Sequence, residues 1–114
     1  MMLEQARAML RQPDVLLLDI RTPDEHAYVH FGGAILVPTP LPPLNQYHIR
    51  RLRRRLANIA GEDPHRPIVI YCKKGIRSRK AAELLHQMGY ENVLDLGGIM
   101  NEPLLGLIHR NEPL

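Results

Sequence analysis

The sequence predicts an α/β fold: a central, mostly parallel sheet of four to five strands with helices on both faces, in one domain spanning residues 1–114. Three observations carry this. Apolar runs of strand length at residues 15–18, 34–37, 68–71 and 93–96 alternate with segments of helical period. The runs at 15–18 and 68–71 are continuously apolar, which suits strands buried on both faces. A length of 114 residues allows one hydrophobic core and is too short for two.

Leu3, Ala6, Met9 and Leu10 recur at helical spacing, and Pro13-Asp14 interrupts them, so residues 2–11 form a short amphipathic helix. The first strand, 15–18, delivers Asp19-Ile20-Arg21 at its carboxyl end. Thr22-Pro23-Asp24-Glu25 has the hydroxyl, proline and early acids of a helix start, predicting a helix to about His30 that Gly32-Gly33 ends. After the strand at 34–37, Pro38, Pro40, Pro42 and Pro43 stiffen an extended loop. From Leu44 to Ala60, Ile49, Leu52, Leu56 and Ile59 share one helical side, while Arg50, Arg51, Arg53, Arg54 and Arg55 spread over the other. Gly61 is the stop. The strand at 68–71 is followed by a helix from Ser78 to Met88 with Gly89 at its end, the strand at 93–96, and a short helix around Pro103 to His109. Asn-Glu-Pro-Leu occurs at 101–104 and 111–114, too short a match to be an architectural repeat.

Composition narrows the function classes. With 45% hydrophobic and 24% charged residues the chain is that of an ordinary globular protein. No apolar stretch reaches membrane-spanning length and the first residues lack a secretory pattern, so a cytoplasmic location and no membrane partner are expected. The net charge of +3 is local: the five arginines between 50 and 55 turn the balance from −2 to +3. That stripe lacks interleaved aromatics, which makes nucleic acid an unlikely partner; it reads first as a solvated face and second as a docking surface for RNA or an acidic protein. The six histidines show no ligand spacing, so neither a metal nor another cofactor is expected.

Cys72 is the single cysteine, which excludes an intrachain disulfide and fits a reducing compartment. It closes the run at 68–71 and precedes Lys73, Lys74, Gly75, Ile76, Arg77 and Ser78, where a helix begins. The thiolate, not the thiol, is the nucleophile. Positive charge and successive backbone N–H groups curled by a glycine both favour that anion. A merely structural cysteine has no need of two lysines, a glycine and an arginine beside it, so Cys72 is predicted to be catalytic, with residues 73–78 cradling an anionic substrate. Ser78 is expected to cap the helix, since no acid–histidine pair can be assigned to it. Because strands in such folds present ligands at their carboxyl ends, Asp19, Arg21 and Cys72 should share one edge of the sheet.

Several segments together resemble the single-domain rhodanese family of thiosulfate sulfurtransferases: Leu17-Leu18-Asp19-Ile20-Arg21 with Glu25, His30-Phe31-Gly32-Gly33-Ala34 leading to Val37-Pro38, Ile68-Val69-Ile70-Tyr71-Cys72 with Gly75, Arg77-Ser78 and Ala81-Ala82, and Gly89-Tyr90 leading to Leu96-Gly97-Gly98. The resemblance implies that Cys72 takes sulfane sulfur from thiosulfate or a persulfide and yields it to a thiol or cyanide acceptor, and it makes an acidic sulfur-carrier protein the partner that the arginine stripe would dock. It also implies that Asp19, Arg21 and Glu25 chiefly brace the site, with Arg21 the second-ranked contact for an anionic donor. Related phosphatases use Cys-x5-Arg, whereas Cys72-x4-Arg77 makes a tighter ring similar to that of the sulfur-handling members. The alternatives are a catalytically weak binding or anion-sensing module of the same fold and, further off, a phosphatase or arsenate reductase relative. Val29, where the family commonly has glycine, and residues 100–103 depart from the pattern, which bears on the packing of the last helix.

Overall fold

A computed structural model describes residues 2–114. Nine elements follow in order: α1 (Met2–Leu10), β1 (Leu16–Asp19), α2 (Pro23–Tyr28), β2 (Ile35–Leu36), α3 (Gln46–Ala60), β3 (Ile68–Cys72), α4 (Ile76–Gln87), β4 (Val93–Gly98) and α5 (Leu104–His109). The four strands are all parallel, in the order β2-β1-β3-β4.

Alternation along the central strands builds two cores. Leu16 and Leu18 of β1 and Ile68, Ile70 and Cys72 of β3 face Leu52, Leu56, Ala81 and Leu85 of α3 and α4. Leu17, Val69 and Tyr71 point to the opposite face, where they meet Ala6 of α1 and Leu104, Leu107 and Ile108 of α5. Every residue of β1 and β3 is buried, which is why their sequence is apolar without alternation. The last helix thus packs fully despite the unusual segment before it.

Several boundaries move from their expected places. Capping boxes fix two helix starts. Thr22 Oγ1 accepts from the Glu25 N–H at 3.2 Å while the Thr22 N–H donates to Glu25 Oε1 at 2.9 Å. Asn45 and His48 make the corresponding pair, so α3 begins one residue after Asn45 rather than at Leu44. Helix α2 stops before Val29, short of His30 and of Gly32-Gly33, because Val29 is already extended and the Phe31 N–H is drawn to the Tyr71 hydroxyl at 3.2 Å. Strand β2 shrinks to two residues. Strand β4 runs on through Gly97-Gly98, since the end of β3 offers it a partner: Cys72 lies opposite Gly98.

Candidate active site

Cys72 is the final residue of β3, and the chain then turns through residues 73–75 into α4. Gly75 adopts φ +103°, a left-handed conformation that a side chain would strain. This turn folds the loop back over the sulfur. The Gly75 N–H donates to Cys72 Sγ at 3.0 Å and the Ser78 N–H at 3.3 Å. The thiol donates to Ser78 Oγ at 3.3 Å, and that hydroxyl in turn donates to the Gly75 carbonyl at 3.3 Å. When the sulfur is anionic, rotation of the Ser78 hydroxyl supplies a third donor. Ser78 is therefore not the helix cap: Gly75 holds that position, α4 starts at Ile76, and Ser78 sits one turn inside, facing the sulfur.

The loop is seated on β4. The Ile99 N–H donates to the Cys72 carbonyl at 2.9 Å and the Met100 N–H to the Lys73 carbonyl at 3.1 Å. Gly98 comes so close that a Cβ there would lie 2.5 Å from the Lys73 carbonyl oxygen and 2.7 Å from Lys74 backbone atoms. Only glycine allows this contact.

Charged side chains divide into two groups. Arg77 is buried, donating to both Glu25 carboxylate oxygens at 2.7 and 3.1 Å and reaching the Thr39 carbonyl at 3.5 Å. Its guanidinium ties the loop to α2, and the residue also lines the Cys72 pocket. Burial alone would raise the Glu25 carboxyl, but the Arg77 guanidinium and the Thr22 N–H outweigh it and hold the group at about 2. Asp19 and Arg21 are buried as well and form a two-pronged pair at 2.7 and 2.7 Å, with the Arg21 guanidinium also donating to the Val29 carbonyl at 2.6 Å. Burial works against the Arg21 charge, and Asp19 more than restores it. Lys73 and Lys74, by contrast, are exposed and carry no ion pair among the described residues.

Three members of this network were not singled out in the sequence. His26 Nδ1 lies 2.8 Å from Asp19 Oδ2, the Tyr71 hydroxyl donates to the same oxygen at 3.2 Å, and Thr39 is buried beneath Arg77. Burial first, then the Asp19 charge, raise the Tyr71 phenol well above its ordinary value, so it stays a donor. The only available signal was Tyr71 itself, a polar tip inside an otherwise apolar buried run.

Cys72, 1% exposed, lines a pocket of about 230 Å³ together with Leu41, Pro42, Lys73, Lys74, Ile76 and Arg77. A larger cleft of about 510 Å³ lies on the far side of Lys73, between α2 and α5, and does not include Cys72. Among the described residues no group of His, Cys, Asp or Glu comes together that could hold a metal ion, and no helix is long and apolar enough to cross a membrane.

A cysteine-bearing loop at the carboxyl edge of a parallel sheet, held between a glycine-lined strand and a helix start, defines a class of α/β domain built around one thiol. The Rhodanese-like domain family model matches residues 2–102, and the chain belongs to that family. It is 40% identical over 88 residues to a sulfurtransferase of Allochromatium vinosum, covering 76% of this chain and 70% of that one. It is 34% identical over 98 residues to a tRNA uridine(34) hydroxylase of Photorhabdus laumondii, covering 85% of this chain but only 26% of that much longer protein. Among solved structures, a rhodanese with anions from E. coli shares the fold at a TM-score of 0.60 and 28% identity, over 79% of this chain and 93% of its own.

Proposed function

We propose that the protein is a sulfurtransferase that carries sulfane sulfur on Cys72. The observation that supports this most is the convergence of the Gly75 and Ser78 N–H groups on the sulfur, with the Ser78 hydroxyl as a third partner. These donors stabilise a sulfur anion without any proton having to move. The Cys72 thiolate attacks the outer sulfur of thiosulfate, a new S–S bond forms, the old one breaks, and sulfite leaves with its electron pair. The product, Cys72–S–S⁻, keeps one negative charge in the loop. An acceptor thiolate or cyanide then attacks the outer sulfur and restores the Cys72 thiolate.

The pocket suits this better than phosphoryl transfer. The arginine that would clamp a phosphate is committed to Glu25, and the tight Cys72-x4-Arg77 ring presents two amides to one atom. Lys73 and Lys74 supply mobile positive charge for the anionic part of the donor. The likeness to the hydroxylases covers about a quarter of their length, so it bears on the shared domain and not on hydroxylation.

Mass spectrometry after incubation with thiosulfate tests the reading. A gain of about 32 Da, the mass of one sulfur, removable by cyanide and absent from Cys72→Ser, is expected. A folded protein with an alkylatable Cys72 that never gains this mass from thiosulfate or an organic persulfide would instead point to an anion-binding module.

A further inference from the structure

The arginine stripe takes no part in the chemistry at Cys72. Residues 41–90 hold eleven Lys and Arg against three Asp and Glu, net +8, whereas the rest of the chain holds four against nine, net −5. Helices α3 and α4 cover one face of the sheet, and that face is cationic. Helix α3 carries five arginines and no acid. Arg53 reaches across to Gln87 of α4 at 3.4 Å, while Arg50 and Arg54 are exposed and carry no ion pair among the described residues. The starts of α3 and α4 adjoin in a groove that Ile49, Ile76, Arg79 and Lys80 help to line, so the cationic face runs up to the Cys72 pocket. At that junction stand two exposed aliphatic side chains, Leu41 at 63% and Ile76 at 50%.

We propose that this face docks an acidic protein that exchanges sulfur with Cys72 through a cysteine on a mobile segment. This rests on the sulfurtransferase reading and names a partner for it. An apolar rim around the pocket, set in a charged surround, has the anatomy of a protein interface. Cationic side chains without internal partners steer and orient a carboxylate-rich surface. Cys72 is buried at a pocket of about 230 Å³, so an incoming thiol has to enter that pocket to reach the sulfur. Tyr47, its ring approached by the Arg51 guanidinium at 5.4 Å, is the one Phe, Trp or Tyr side chain on α3, whereas single-stranded nucleic acid is held by successive aromatic platforms. In the transfer, the partner thiolate attacks the outer sulfur of Cys72–S–S⁻, one S–S bond replaces another, and the Cys72 thiolate is released, with no external oxidant or reductant.

The test uses two synthetic peptides with one cysteine each, flanked by glutamates in one and by glutamines in the other. Persulfidated wild-type protein should transfer sulfur to the glutamate peptide about tenfold faster at low salt, an advantage that fades near 0.5 M salt. Replacing Arg50, Arg53 and Arg54 together by Gln should remove the advantage and leave thiosulfate turnover unchanged. Fluorescence anisotropy of the same peptides on Cys72→Ser reads docking without chemistry, so a failure of sulfur loading at Cys72 leaves the surface testable on its own. Equal binding of the two peptides, binding indifferent to the arginine changes, or tighter binding of a single-stranded RNA oligonucleotide would overturn the proposal.

Discussion

The Asp19 network and the Cys72 loop lie side by side at the carboxyl edge of the sheet, and they treat charge in opposite ways. Around Asp19, the charges are buried or half-buried and each is answered: Asp19 by Arg21, His26 and Tyr71, and Glu25 by Arg77. No buried side-chain polar atom among the described residues lacks a partner. Around Cys72, backbone N–H groups point at one sulfur while Lys73 and Lys74 stand in solvent without partners. The first arrangement leaves no charge free for a ligand and holds shape; the second leaves an anion's worth of attraction for whatever arrives. Arg77 is the hinge of the contrast, since its backbone belongs to the loop and its side chain to the network.

The sharpest way to break the contrast is at Gly98, which touches the loop but neither the thiol nor any charge. In Gly98→Ala the new methyl would collide with the Lys73 carbonyl and the Lys74 backbone, neither of which is a flexible tip. The loop must shift. Displacing amide donors by about 1 Å from the reacting atom costs on the order of a hundredfold in rate. Sulfur loading by rapid-quench mass spectrometry should fall by that amount, with the unfolding midpoint in urea little changed. An unaltered rate would mean that the seat on β4 does not set the donor geometry.

Next in size is Glu25→Gln, which strikes the network and spares the loop's donors. Leaving a buried guanidinium without its carboxylate costs about 3 kcal/mol, to be read from urea unfolding at pH 7, while sulfur loading of the folded variant should stay within a few-fold of wild type. The pH dependence follows from the sign of the shift. Glu25 is held at about 2 when folded against an ordinary 4.5, so its contribution is complete above 4.5 and is lost as pH falls from there toward 2. The stability gap between wild type and variant should narrow across that window. A gap that stayed constant down to pH 2 would place the benefit in packing and not in charge.

Much of this contrast was open to sequence reasoning, and the part that was not has a physical reason. The runs at 15–18 and 68–71 announced doubly buried strands because burial on both faces removes polar alternation, and Cys72 at the end of such a run announced its edge of the sheet. Thr22 through Glu25 showed a helix start because the capping box is a local device. Pairings between distant segments were hidden: nothing near Arg77 in the chain tells that its guanidinium meets Glu25, 52 residues away. Ser78 looked like a cap because serine at a helix start usually is one; the left-handed Gly75 moved the start two residues earlier and turned the hydroxyl to the sulfur. Two-residue β2 could not be told from its flanks, since its limits come from pairing with β1 and not from its own pattern.

Lys74 gives the smallest and most discriminating test. It is exposed, carries no ion pair and lines the Cys72 pocket, so replacing it by Gln removes attraction for an anionic donor and nothing that holds the fold together. Exposed charges act weakly and are screened by salt. KM for thiosulfate should rise about threefold in low salt with kcat unchanged, and the difference should shrink at high ionic strength. Glu25→Gln should show the reverse profile, with a large loss of stability and a KM close to wild type. If Lys74→Gln lowered the unfolding midpoint while sparing KM, the two regions would not divide their charges between shape and ligand in the way their geometry indicates.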